Sequence, residues 1–359
     1  MSLQILWFCL AAMTLSAYVV LDGFDLGAGL VSLWVAKNAE ERKLVSAAIG
    51  PVWDGNEVWL LASGGTLAFA FPKLYAVSVS GFYLPVMLLL WLLVFRALGI
   101  EMRHHFSHPL WEEAWSVAFA VSSLLIALFL GVALGNVVRG VSIDEGGGFF
   151  APLWTNLRVG SDTGVLDWYT VLVGLLGVLV LGVHGALWLG HRTAGPVAER
   201  SVRLAQRASV GVVFLLTAVT AASVVVQPSI MQSLIARPWG ALIPASALVC
   251  LGLLIVAVRR GLVERAFYAS CGFIASLFGS AAFGVYPYVL PARVAARGIT
   301  VSDAASSPYA LAGGLVWWIP GMLLATGYFV FIYRKLPRGL RIEDLEAHDD
   351  HDSPLSADE

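Results

Sequence analysis

LQILWFCLAAMTLSAYVVLDGFDLGAGLVSLWV, Leu3 to Val35, is an unbroken apolar run that carries only two charged residues, Asp22 and Asp25. About 20 residues of α-helix cross the roughly 30 Å of hydrocarbon in a bilayer, so this run is long enough to span one. It lacks a basic start and stays apolar past any plausible signal core, which excludes a cleaved signal peptide. The run therefore reads as a membrane helix that holds two acids where charge is expensive.

The rest of the chain repeats the pattern. With 58% hydrophobic residues, 13% charged residues and a mean hydropathy of +0.80 over 359 residues, it has more apolar surface than a soluble domain of this size can bury. Nine runs are long enough to span: 3–35, 52–71, 75–99, 115–138, 165–190, 209–227, 240–258, 267–290 and 309–333. No run alternates with period two, which excludes an outer-membrane barrel, and no repeat of fixed period is present. The expected fold is an all-α integral membrane protein of about nine transmembrane helices. Residues 1–336 form the polytopic transmembrane domain. Residues 337–359, ending EDLEAHDDHDSPLSADE, form a polar tail too short and too charged to fold alone. His348 and His351 in that tail have no rigid frame to fix metal geometry. The longest connection, 139–164 with its DEGGGFF stretch, reads as a surface excursion.

A formal charge of −2 gives no reason to expect a nucleic-acid partner, so the placement of charge matters more than its sum. Nine spans put the termini on opposite sides. The loops on the N-terminal side hold six of the 22 lysines and arginines, and the other loops hold sixteen. The positive-inside rule then places the N-terminus outside and the C-terminus in the cytoplasm. Cys9, Cys250 and Cys271 all fall in apolar runs and build no haem-attachment, zinc or disulfide pattern.

Four acids, Asp22, Asp25, Asp54 and Glu57, lie in or at the rim of the first two spans. An ionised acid at the bilayer centre costs about 2.5 to 3.5 kcal/mol, and less towards the interface. Such groups must face protein or water, be partly protonated, or meet cations. Asp22 and Asp25 lie about 28 to 33 Å beyond Leu3 along a helix, towards its inner end. The second span starts inside, with Pro51 suited to a first turn, so Asp54 and Glu57 lie near the same face. Each pair is three residues apart and shares a helix face. Gly23, Gly27 and Gly29 thin the first helix there, which allows a close neighbour or a kink. Arg96, at the inner end of the third span, is the nearest candidate counter-charge. Dipole stabilisation at a helix start accounts for Asp54 and Glu57 but not for Asp22 and Asp25. The functional reading is a proton-entry site.

Other polar residues give weaker signals. His184 and His191 near the inner end of the fifth span, and His104, His105 and His108 in a loop, read as structural or interfacial rather than as a facing haem-ligand pair. Asp303 reads as a helix cap. Trp7, Trp115, Trp239 and Tyr333, near run ends, read as interfacial anchors.

LDGFDLGAG (Leu21 to Gly29), GPVWDGNEVWL (50–60), GFYLP (81–85), LGVALGNVVRG (130–140) and YPYVLP (286–291) followed by VSDAASSP (301–308) closely resemble subunit II of cytochrome bd quinol oxidases. The resemblance runs in order through all nine spans and excludes only the tail. It implies two four-helix bundles plus one peripheral helix. It also implies membership of a complex in the bacterial cytoplasmic membrane that oxidises membrane quinol, reduces dioxygen to water and generates a proton-motive force. Haems b and d would belong to a partner, subunit I, in a heterodimer, with room for a small accessory subunit. This chain would ligate no cofactor and hold no catalytic residue of its own, and a structural quinone within it is compatible with the family. Asp25 matches the second acid of DGFD. Asp54 matches the acid of WDGN, which in the family lies at the subunit contact and is implicated in conducting protons from the cytoplasm. Glu57 stands where family members can carry Gln. A second expectation pairs Asp25 with Arg96 as a structural ion pair. The rival from another class is an independent ion-coupled secondary transporter, although that would favour a midplane site and two related halves. A purely scaffolding partner, whose acids only secure the interface, is the third reading.

Overall fold

The computed structural model describes residues 2–106, 108–160 and 163–344. Within hydrocarbon every backbone N–H and C=O has to find its partner inside the segment, so the apolar runs fold as helices. Among the described residues eight helices are long and apolar enough to cross a membrane by themselves. They are α1 (Leu3–Val35), α5 (Tyr83–Glu101), α6 (Pro109–Arg139), α7 (Trp168–Arg192), α8 (Pro196–Val226), α10 (Leu242–Arg259, extended by a 3₁₀ turn), α11 (Val263–Val285) and α13 (Pro308–Lys335). A ninth candidate span is the pair α3 (Trp53–Ala70) and α4 (Pro72–Gly81), long and apolar enough only together and bent by 119° between them. The shorter helices are α2 (Ala39–Ile49), α9 (Ser229–Ala236) and α12 (Val301–Ala304).

The α3–α4 bend corrects the expected third span. Residues 75–81 belong to α4, and the crossing itself begins at Tyr83. Pro72 opens α4 and offers no N–H to continue α3, so the chain turns at Phe71 instead of running on.

The helices form two four-helix bundles and an outlier. α1, α3, α5 and α6 make the first bundle, and α7, α8, α10 and α11 make the second. α1 packs on both, touching α3, α6, α7 and α11, whereas α13 touches chiefly α1. Only 6% of the most apolar window of α13 is buried, so this helix is peripheral. The bundles are held by close glycine crossings of α6 on α7 and, tightest, of α1 on α7. A Cβ on Gly27 of α1 would lie 2.0 Å from the Leu181 carbonyl oxygen, and one on Gly185 of α7 would lie 2.1 Å from the Gly27 carbonyl carbon. Glycine lets the two backbones touch there, and α1 remains one uninterrupted helix.

One end of the molecule carries most of the lysines and arginines and is called the basic end below. There Asn38 caps α2, accepting the Glu41 N–H at 2.8 Å, and Glu41 in turn pairs with Arg200 of α8. Arg103, just past α5, donates to Ser46 Oγ at 3.2 Å and to the Ala39 carbonyl at 3.1 Å, and burial pushes its guanidinium pKa down to about 10. The tail also begins later than expected. Leu340 N–H donates to the Arg192 carbonyl and Ala194 N–H to the Leu340 carbonyl, both at 2.9 Å, so the chain beyond Pro337 first returns to α7. Residues 345–359, with His348 and His351, lie outside the described residues.

At the opposite end, β1 (Tyr288–Leu290) pairs antiparallel with β2 (Ile299–Thr300). Thr300 and Asp303 form a reciprocal capping box on α12, in line with the capping reading. The Thr300 hydroxyl and N–H, bonded to the Asp303 carboxylate, hold that exposed carboxyl below its usual pKa. The long connection is fastened to the bundle: Ala151 N–H donates to the Gly81 carbonyl at 2.9 Å, and Arg139 binds the Gly164 carbonyl at 3.1 Å and the carboxylate of Asp167, the N-cap of α7. Trp7 is a correction here too. It is fully buried, packs on Phe69 and Trp318, and donates to the Leu311 carbonyl at 3.0 Å, so it is a core residue and not an interfacial anchor.

Candidate functional site

The acids of the first two crossings converge near the basic end. Asp22 and Asp25 lie three residues apart on α1, the helix that both bundles share, and both are completely buried. Arg96 of α5 is also completely buried and clasps Asp22 with both terminal nitrogens, Nη1 to Oδ2 at 2.9 Å and Nη2 to Oδ1 at 2.5 Å. This two-pronged geometry matches a planar guanidinium to a carboxylate and neutralises both charges in place. Glu57 of α3 approaches the same arginine, its Oε2 standing 3.7 Å from Nη1, and it is 26% exposed. The cluster thus sets two acids against one cation, with one acid reaching towards the surface.

Asp25 has a different partner. Arg96 takes Asp22, which corrects the expected Asp25–Arg96 pair, and Asp25 Oδ2 accepts a hydrogen bond from Asn56 Nδ2 at 2.7 Å. The other oxygen of Asp25, Oδ1, is buried without a hydrogen-bond partner. Asn56 Oδ1 accepts from the Tyr333 hydroxyl at 2.7 Å. A continuous hydrogen-bonded chain therefore joins α1, α3 and the last turn of α13, with a carboxyl at one end and a phenol at the other. This corrects the reading of Tyr333 as an interfacial anchor.

Helix geometry explains the division of labour on α3. Successive residues turn by about 100°, so Asn56 faces α1 and α13 while Glu57 faces α5. Asp54 points elsewhere. It is exposed, together with Val58, Leu61 and Gly65, and positions 54, 58, 61 and 65 share one helix face. The structure therefore brings together Asp22, Asp25, Glu57 and Arg96 and leaves Asp54 on a neighbouring surface stripe. Asn56 and Tyr333 were not singled out as members. The available signal was a neutral amide between two acids in an otherwise apolar helix, a residue type that in membranes tends to bond across helices.

Among the histidines, His184 takes a structural role. Both ring nitrogens of His184 are engaged, Nδ1 with Ser270 Oγ at 2.7 Å and Nε2 with the Val20 carbonyl at 2.9 Å, and the ring stacks on Phe267. It is a helix-to-helix tie among α7, α11 and α1, not arranged as a haem ligand. His105 and His108 lie exposed between α5 and α6, and His191 borders a cleft beside α13. Among the described residues no group of three His, Cys, Asp or Glu side chains could hold a metal ion.

Residues 3–336 match the family model described as "Cytochrome bd terminal oxidase subunit II". Among curated proteins, the chain is 30% identical over 313 residues to the "Cytochrome bd ubiquinol oxidase subunit 2" of Bacillus subtilis, covering 86% of this chain and 88% of that one. It is 28% identical over 378 residues to the "Cytochrome bd-I ubiquinol oxidase subunit 2" of Escherichia coli (strain K12), covering 96% and 97%. Among solved structures it resembles a chain of the bd oxidase from Geobacillus thermodenitrificans with a TM-score of 0.72 and 19% identity, over 93% of this chain and 98% of that one. At that identity the likeness speaks for the fold.

Proposed function

From the premise that the chain belongs to the cytochrome bd terminal oxidase subunit II family, we propose that it is the second subunit of a quinol:oxygen oxidoreductase of the bacterial cytoplasmic membrane, and that its acids admit protons from the cytoplasm. Haems b and d are assigned to subunit I, and His184, with both nitrogens engaged, does not fit a haem in this chain. A structural quinone in this subunit and a small accessory subunit are compatible with the family and are tied to no residue here.

The observation that carries the reading is a buried acid network beside an exposed acid. Asp22, Arg96 and Glu57, together with the Asp25–Asn56–Tyr333 chain, fill the inside of the basic end, and Asp54 stands on the exposed face of α3 next to them. The Lys/Arg asymmetry assigns that end to the cytoplasm. Dioxygen reduction takes up protons, and quinol oxidation on the other side releases them. Uptake from the cytoplasm therefore builds a proton-motive force without any conformational pump. Glu57, partly open to the surface, and Asp25, with one oxygen lacking a hydrogen-bond partner, are the groups suited to accept and release a proton. Asp54 lies on the exposed stripe it shares with Val58, Leu61 and Gly65, a position that suits transfer across a contact with subunit I. The Asp22–Arg96 pair has both charges matched and is suited to holding the network in place.

Purification of the tagged chain from native membranes tests the reading. The expected result is a pigmented partner with haem absorbance and quinol-dependent oxygen uptake. A colourless chain isolated by itself, in membranes that retain this oxidase activity, would contradict it.

A further inference from the structure

A cleft of about 960 Å³ separates α13 from α11 and α1. Its walls are apolar, with Val20 from α1, Ala275 from α11 and Met322 and Phe329 from α13. Along α13 it runs from Trp318 to Arg334, about 24 Å at the helical rise. That is close to the depth of one leaflet with its headgroups, about 20 Å. Its character changes at the basic end, where Arg192, Arg334 and Arg338 line the mouth.

The three cations outnumber their carboxylate partners. Arg338 pairs with Glu264 at 3.1 Å, while Arg334 has no ion pair among the described residues. Arg192 is 5% exposed, donates through Nη1 to the carbonyls of Leu336 and Pro337 at 3.2 Å, and lies over the Trp188 ring at 4.5 Å. Its Nε is buried without a hydrogen-bond partner. An apolar slot one leaflet deep, with an excess of guanidinium at its headgroup end, has the chemistry of a lipid site for a negatively charged headgroup.

We propose that this cleft binds one anionic glycerophospholipid, an acyl chain lodged between α11 and α13 and its phosphate at Arg334, Arg338 and Arg192. A quinone would use the apolar slot but offers only neutral carbonyls to three guanidinium groups. The bound lipid would supply the packing that α13 lacks on this side and so steady the turn that delivers Tyr333 to Asn56.

The test uses the purified complex, re-equilibrated in mixed micelles with equal amounts of phosphatidylglycerol and phosphatidylcholine of matched chains, with retained lipid counted by native mass spectrometry. The wild type is expected to retain phosphatidylglycerol preferentially. Arg334→Gln and Arg338→Gln should each lower that preference about fivefold. Ala275→Trp, which fills the slot, should reduce retention of both lipids, and Arg259→Gln with Arg260→Gln, at exposed cations elsewhere on the same end, should change neither. Glu264→Gln should keep or raise the preference. The proposal is overturned if the Arg334 and Arg338 variants retain lipid as the wild type does. It is equally overturned if Glu264→Gln mimics Arg338→Gln, or if the extracted occupant is a quinone, or if no lipid is retained because the partner subunit fills the slot.

Discussion

Asp22 and Arg96 set the terms for the rest of the buried network. Two charges removed from water are tolerable because the guanidinium satisfies both carboxylate oxygens, and removing one partner of such a pair typically costs about 3 to 5 kcal/mol. Arg96→Gln should therefore depress the thermal midpoint and the yield of assembled complex strongly. Adding Asp22→Asn to it should recover much of the loss, because no uncompensated charge then stays buried. Purely additive effects of the two substitutions would contradict the pairing. Asn56→Ala should act differently, cutting Asp25 from Tyr333 while leaving the ion pair intact. The expected signature is slower turnover per haem, with assembled complex reduced much less than by Arg96→Gln. Charged residues were legible in the sequence because an ionised group in an apolar helix demands an explanation by cost. Asn56 and Tyr333 were not, because a neutral amide or a phenol is cheap enough in a membrane helix to have many ordinary roles. The Asp25–Arg96 expectation failed for a related reason: spacing on α1 puts both acids within reach of a cation on the third crossing, and only the three-dimensional packing decides which one it meets.

At the level of helices, the α1–α7 crossing and the exposed face of α3 make opposite demands. Gly27→Ala or Gly185→Ala pushes a methyl into backbone of the opposing helix, so either should cost more than the 1 to 3 kcal/mol or so typical of overpacking and should lower the recovery of folded chain. Gly65 has nothing within 4 Å of where its Cβ would stand. Gly65→Trp should leave this chain folded and abolish co-purification of subunit I, if the 54–58–61–65 stripe is the contact. Retention of the partner by that variant would remove the stripe from the interface. The long helices were readable from hydropathy almost to the residue in α1, since backbone satisfaction in lipid leaves little choice. Pro72 and Lys73 made the end of α3 legible, but not the separate helix α4, because apolar residues continue from 74 through 81 into the crossing that starts at Tyr83. The loop-end ties to Gly81 and Gly164 depend on distant backbone groups that no local pattern announces.

For the whole molecule, the two bundles with α13 outside them place the acid network where α1, α3, α5 and α13 meet, next to a surface that this chain leaves apolar and open. On the proposed orientation, that position would give proton flow its direction. In a background without Cys9, Cys250 and Cys271, a cysteine at exposed Gly146 should react with an impermeant thiol reagent in intact cells, and one at exposed Arg260 should react only after the membrane is opened. The reverse pattern would invert the proposed route. The most direct test compares oxidase turnover per haem in assembled complexes carrying Asp54→Asn or Glu57→Gln. Loss of a positioned proton carrier predicts a fall on the order of 10²-fold for Asp54→Asn and a clearly smaller one for Glu57→Gln. A wild-type rate in assembled Asp54→Asn would contradict the assignment of Asp54 to the proton route, and equal rates in the two variants would refute the ranking of Asp54 above Glu57.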